Sequence, residues 1–193
     1  MKQVEIARRG NFVELPPVGA YVAEIRDVRV VEADRNRGQV ADTLEMMIEI
    51  TEGEFKGRFT EVYEDQKERF DNAKYKGVFR LYLPGDTSAD WMDRQFSNNI
   101  WCVQESNPGY KWDCDPMKLK GKKVGISMRK RMYTYNGQDR ETTEIGQFET
   151  VADVKAGKCR PMKDKDKRNK GGSEDSTDGS DFTDVSSQVS VPW

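Results

Sequence analysis

The 193-residue sequence predicts a mainly β fold: a small five- to six-stranded antiparallel barrel with one inserted helix and a disordered C-terminal tail. Three observations lead there. Short runs of alternating apolar residues recur between Ala20 and Phe148, Gly and Asn fall where strands would reverse, and a single long stretch carries helical spacing.

From Ala20 to Val31, the residues Tyr21, Ala23 and Ile25 alternate, and Val28 and Val30 continue out of phase. One long strand with a bulge between Ile25 and Val28 is expected. Leu44, Met46, Ile48 and Ile50 alternate without interruption. Gly53-Glu54-Phe55-Lys56-Gly57 reads as a turn with Phe59, Glu61 and Tyr63 returning, so residues 40–63 are expected to form a hairpin. Val78 to Leu83 gives a further strand, closed by Pro84-Gly85. Residues 87–105 are the helix, with Met92, Phe96, Ile100 and Val103 on one face behind a Thr87-x-x-Asp90 capping signal, and Asn107-Pro108-Gly109 ends it. A last hairpin runs from Lys122 to Tyr135, turns at Asn136-Gly137 and returns from Arg140 to Phe148. Thr150-x-x-Asp153 and Gly157 bracket a short helix, and the fold is expected to stop near Arg160-Pro161. A helix inserted before the last hairpin suits a closed barrel of the oligonucleotide-binding kind, which hides its sheet edges by curling; an open α+β sheet is the alternative.

Charge divides the chain into a body, residues 1–160, and a tail, residues 161–193. The body holds 27 basic and 27 acidic side chains, residues 161–170 hold five basic and two acidic, and residues 171–193 hold five acids and no base. The Gly- and Ser-rich acidic stretch has too little apolar surface to offset its chain entropy, so disorder is expected. The tail nevertheless ends in Val189, Val191, Pro192 and Trp193, which reads either as a docking peptide or as an unstructured tip.

Composition removes several function classes. With no histidine, every imidazole-based dyad, triad and zinc site is excluded. Cys102, Cys114 and Cys159 form no Cys-x-x-Cys pair, which points to a reducing, cytoplasmic setting without cofactor. The chain opens on no signal peptide and holds no apolar run long enough for a membrane span. Gly121-Lys122 is followed by Lys123, so no Walker loop is present, and no Gly-x-Gly-x-x-Gly occurs. Asp42 and Glu54-x-Lys56 follow the order of a nuclease metal site only loosely, with Glu54 and Lys56 at an expected hairpin tip that would hold a metal poorly; Asp113 and Asp115 around Cys114 are too weak a ligand set, and Cys102 has no base to activate it. No enzymatic activity and no metal are expected.

The stretch from Lys118 to Tyr135 carries seven basic residues and no acid. Along a strand, Val124, Ile126, Met128 and Met132 would face the core, interrupted by Lys130. Lys123, Gly125, Ser127, Arg129, Arg131, Tyr133 and Tyr135 would then form one outward row. Cations that neutralise phosphates beside rings that stack on unpaired bases suit a single-stranded nucleic acid. Lys122 joins this row. Arg58 and Tyr63 on the first hairpin, and Lys74, Arg80 and Tyr82 around the third strand, could extend it, although for the tyrosines simple core or rim packing is the favoured reading.

Three segments carry a family resemblance: Gly19 to Ile25; Met47 to Arg58; and Leu119 to Ile126, continuing through Asn136-Gly137 to Val151-Ala152-Asp153-Val154-Lys155-Ala156-Gly157-Lys158. In these the chain resembles phage-encoded single-stranded DNA-binding proteins. The resemblance covers about a third of the chain and implies an oligonucleotide-binding barrel that coats single-stranded DNA during phage replication or recombination in the host cytoplasm. The tail is similar to that of bacterial single-stranded DNA-binding proteins, whose acidic segment ends in a proline-aromatic tip. By that likeness Asp181, Phe182, Asp184, Pro192 and Trp193 would recruit replication or recombination proteins, although Asp184, the last acid, lies nine residues before the end. The acidic tail could also compete with DNA for the basic face. A second function class is a phage counter-defence protein, of the anti-CRISPR kind, that binds and inhibits a bacterial nucleic-acid-guided nuclease. A homo-oligomer is left open, since Met46, Met47, Trp101 and Trp112 suit either a dimer surface or the core.

Overall fold

β1 (Gly19–Val31) pairs antiparallel with β4 (Lys123–Tyr135) along Gly19–Glu24, and with β2 (Thr43–Ile50) along Ala23–Val31. The computed structural model describes residues 12–168 except Gly38, Val40 and Thr87. The expected bulge is present: the register passes from Ile25 opposite Ile48 to Asp27 opposite Met47, leaving Arg26 over. The phase shift lets Ala23, Ile25 and Val28 all enter the core. β3 (Val78–Tyr82) flanks β2 and β5 (Gln138–Glu149) flanks β4, giving the order β3-β2-β1-β4-β5. Ile25, Leu44, Met46, Ile48, Leu81, Ile126 and Met128 fill the inner face, each almost fully buried. Burial of such a side chain contributes roughly 1.5–3 kcal/mol.

The α2 helix (Asp90–Ser106) buries Met92, Phe96, Ile100 and Val103, as their spacing predicts. Its N-cap is Ala89, which offers no side-chain bond, while Thr87 lies outside the described residues. Trp112 packs edge-on against Phe96, whereas Trp101 stands exposed.

The sheet is not closed into a barrel. The rings of Phe79 on β3 and Phe148 on β5 lie 4.6 Å apart, so the sheet curls until its two ends face each other, yet no ladder joins them. The physical reason is α2. Asn99 accepts a hydrogen bond from the Phe148 amide (2.7 Å), and the Cys102 thiol reaches the Phe148 carbonyl (3.5 Å). These helix side chains satisfy the edge groups that a closing strand would have used.

The second departure is at residues 58–69, where the expected returning strand is a helix, α1 (Arg58–Arg69). The alternation of Phe59, Glu61 and Tyr63 misleads, because Phe59 and Val62 are the buried pair and sit at helical spacing. Gly57, at φ 74°, supplies the entry but no capping side chain. The cap comes from β2: the buried Glu49 carboxylate accepts from the amides of Ile50 (2.9 Å), Phe59 (3.2 Å) and Thr60 (2.8 Å) and from the Thr60 hydroxyl. The Tyr75 hydroxyl donates to it as well (3.0 Å). Burial first, then the charge of Glu49, raises the Tyr75 pKa well above its ordinary value, so it stays a donor.

The last hairpin turns at Asn136 and Gly137, both at positive φ, as expected of a two-residue turn. α3 (Val151–Lys155) follows, capped by the Thr150 hydroxyl accepting from the Asp153 amide (3.0 Å). Beyond Arg160-Pro161 the structure continues into β6 (Lys165–Lys167), which pairs parallel with Arg131–Tyr133 of β4 and makes the sheet mixed. It occupies the β4 edge that β1 leaves beyond Met128, where the chain preceding β1 carries Pro16 and Pro17 and lacks ladder amides.

Replacing Glu49 with Gln should lower stability by about 1–3 kcal/mol, because two helix amides, the Thr60 hydroxyl and the Tyr75 hydroxyl lose a charged acceptor. Urea unfolding of the intact chain measures it, and an unchanged midpoint would show that the cap is dispensable.

Candidate nucleic-acid interface

Lys123, Gly125, Ser127, Arg129, Arg131, Tyr133 and Tyr135 do share one face of β4, but that face is not open along its length. A side chain at Gly125 would lie 2.5 Å from Val154 of α3, and buried Ser127 donates to Glu149 (2.8 Å). Met162 covers Gly146 on β5, so the segment leading to β6 crosses the same face. The wholly outward row read from period two is therefore corrected: α3 and residues 159–165 cover its middle, because only glycine and serine stand there.

Further along, three cations share one carboxylate. Glu144 on β5 accepts from Nε and Nη2 of Arg129 (2.9 and 2.8 Å), while Arg131 lies 3.5 Å and Lys165 of β6 3.8 Å from it. Burial, with Lys167, Arg129 and Arg131 nearby, lowers the Lys165 pKa against the pull of Glu144. The cluster keeps an excess of positive charge. Toward the hairpin tip the guanidinium of Arg131 lies 5.8 Å from the Tyr133 ring and that of Arg140 5.5 Å from the Tyr135 ring. Tyr135 is 57% exposed, so one element presents rings and cations together to solvent.

Arg80 and Tyr82 lie on a second surface, the outer face of β1, β2 and β3. Here Glu45 is held between Arg80 (Nε, 2.6 Å) and Arg29 (Nε, 2.5 Å). Burial pushes the Glu45 pKa up, but hydrogen bonds and charge from Arg80 and then Arg29 outweigh it and leave the pKa below its ordinary value. Tyr82 meets Trp91 of α2 edge-on at 5.6 Å, with Trp91 41% exposed. Arg29, Trp91 and Arg140 were not anticipated. The period-two pattern that buries Val28 and Leu44 already put Arg29 and Glu45 on the opposite face, and the Asn136-Gly137 turn already set Tyr135 near Arg140.

The remaining predicted residues stand elsewhere. Arg58 lies over the Phe55 ring (5.2 Å) and beside Glu61 (3.1 Å), and Tyr63 meets Tyr75 edge-on (6.1 Å). Half-buried Lys74 follows in the connection between α1 and β3. Because residues 58–69 are helical, Arg58 and Tyr63 do not join the sheet surface. Lys122 precedes β4 and Lys123 begins it, beside the end of α2. Asp181, Phe182, Asp184, Pro192 and Trp193 lie outside the described residues.

Cys102 is buried, and burial with the charges of Glu149 and Asp153 pushes its thiol up to about 11. Asp113 is ion-paired with Lys118. Among the described residues no group of three His, Cys, Asp or Glu side chains could hold a metal, and no helix is long and apolar enough to cross a membrane. No protein-family model matches the chain, and no curated protein matches its sequence.

Two outcomes follow from these ion pairs. Glu144→Gln leaves three half-buried cations without their counter-charge and should lower the thermal midpoint, most strongly at low salt, where their repulsion is least screened. A calorimetric scan at low and high salt checks it, an equal midpoint to the parent at low salt being the contrary result. The depressed Glu45 pKa gives stability that is full above the ordinary carboxylate range and is lost as pH falls through the depressed value. Arg80→Ala should raise the Glu45 titration midpoint in carboxyl NMR.

Proposed function

We propose that this chain is a single-stranded DNA-binding protein of the phage type it resembles, coating unpaired strands without turnover during replication or recombination. The observation that carries the reading is the β4–β5 hairpin: positive charge in excess around Glu144, continued by Tyr133 and Tyr135 with a guanidinium at each ring. Phosphates neutralise the former and unpaired bases stack on the latter. Arg29, Arg80, Tyr82 and Trp91 extend the interface on the outer face of β2 and β3, the face that partly open oligonucleotide-binding barrels use. The order β3-β2-β1-β4-β5, with a helix between β3 and β4, supports the same reading. Recruitment of replication or recombination proteins falls in this proposal to the acidic tail.

The experiment is a salt titration of labelled oligo(dT) against duplex DNA of equal length. Preference for the single strand is expected, with an affinity that falls steeply with salt. Tyr135→Ala/Arg140→Ala, at an exposed tip, should weaken binding by roughly 1–3 kcal/mol per stacked base while leaving the unfolding midpoint unchanged. Equal affinity for duplex, or an unaffected double variant together with an unaffected Arg80→Ala/Tyr82→Ala, would overturn the reading.

A further inference from the structure

A third cationic feature lies apart from the hairpin and from the outer face of β2 and β3. Where α2 ends, a depression of about 750 Å³ opens, lined among others by Tyr110, Lys111, Lys118, Lys122 and Lys123. It is open to solvent and gathers lysines from the loop after α2, from residue 118 and from the start of β4. Lys118 is ion-paired with Asp113, whereas Lys111, Lys122 and Lys123 have no ion pair among the described residues. The Lys122 ammonium lies 4.7 Å from the Tyr110 ring centre.

The rim is held firmly. The Asn107 side-chain amide donates to the carbonyls of Val103 and Lys123 (both 2.7 Å), and its oxygen accepts from the Lys123 amide (3.0 Å). This ties the end of α2 to the first residue of β4, so the Lys123 backbone is fixed before any ligand arrives. The Tyr110 hydroxyl is buried and has no hydrogen-bond partner among the described residues.

Converging lysines differ in their chemistry from the hairpin row. A linear row of cations matches the successive single charges of a phosphodiester backbone. Several ammonium groups around one hollow instead favour a compact, multiply charged anion, since each adds to the potential at the same point. Lysine acts on phosphate as a flexible point charge and does not demand the planar geometry that arginine does.

We infer that the depression between the end of α2 and the start of β4 is a second anion site, taking a terminal phosphate or pyrophosphate group through Lys111, Lys122 and Lys123. The Tyr110 ring holds the Lys122 ammonium beside the depression. The group can come from the 5′ end of a strand or from a free nucleotide, which offer the same chemistry. The inference does not rest on DNA coating, because it uses neither the Arg131, Tyr133, Tyr135 and Arg140 end of the hairpin nor the residues on the outer face of β1, β2 and β3.

The test uses the intact chain and three probes: inorganic pyrophosphate, dTTP, and a matched pair of oligo(dT) strands with a 5′-phosphate or a 5′-hydroxyl. Pyrophosphate and dTTP should bind in calorimetric titration, and Lys122→Ala/Lys123→Ala should weaken both about tenfold or more as charge-assisted bonds are lost. Lys111→Ala should weaken them less, and the Tyr135→Ala/Arg140→Ala variant should bind them as the parent does. Tighter binding of the 5′-phosphorylated strand than of its 5′-hydroxyl twin assigns the site to strand ends; equal binding of the twins with tight dTTP assigns it to free nucleotides. The inference is overturned if neither pyrophosphate nor dTTP binds and the twins are equal. It is overturned equally if binding survives unchanged in both Lys122→Ala/Lys123→Ala and Lys111→Ala, with circular dichroism showing the variants folded. Failure of oligo(dT) coating with retained pyrophosphate binding would remove the proposed function and leave this site standing.

Discussion

The sheet depends on one strand serving two neighbours. β1 pairs with β4 through its first six residues and with β2 through its last nine, and the residue left over at Arg26 changes its phase between the two tasks. In an unbroken strand Ile25 and Val28, three residues apart, would point to opposite faces, since strand side chains alternate. With the bulge, both are buried. The increased local twist that a bulge brings also serves the curl that sets Phe79 against Phe148 at the two ends of the sheet. α2 then stands against the β5 edge, where Asn99 and Cys102 take up the backbone groups of Phe148.

Charge in this protein is organised by a few partly buried carboxylates, each serving several donors. Glu49 caps a helix it does not belong to, Glu45 lies between two arginines, and Glu144 collects two arginines and a lysine. A donor tied to such a carboxylate is positioned rather than free, which separates the basic residues into two kinds. Arg129 belongs to the structural kind, with both its bonds on Glu144. Arg140, above an exposed tyrosine, belongs to the available kind. Runs of basic residues in a strand therefore overstate the surface open to a polyanion, because the partner strand supplies acids that a reading along one strand does not count.

Much of the fold was legible from local pattern. The β1 bulge, the alternation of β2, the apolar face of α2, the Asn136-Gly137 turn and the Thr150 cap each depend on residues within a few positions of one another, and each is where the pattern placed it. The candidate surface was legible in its residue types and less so in how they are arranged. Arg131, Tyr133 and Tyr135 do lie together on the hairpin, but Arg80 and Tyr82 are separated from β4 by β2 and β1. Arg58 and Tyr63 stand on a helix, and Lys122 and Lys123 flank another hollow.

By itself the sequence determined the mainly β class, the positions of its turns and bulge, the buried stripe of its longest helix and the exclusion of imidazole chemistry. These follow from backbone sterics, side-chain period and composition, which act over a few residues. Only the tertiary structure decided that residues 58–69 coil instead of extending, because their cap is a carboxylate from another strand, with Tyr75 as a further partner. It also decided that the sheet stays open, because helix side chains took its edge, and that β6 joins β4 in parallel. In each case the deciding partner lies ten or more residues away along the chain, outside the reach of local pattern, so its contribution exists only once the chain has folded.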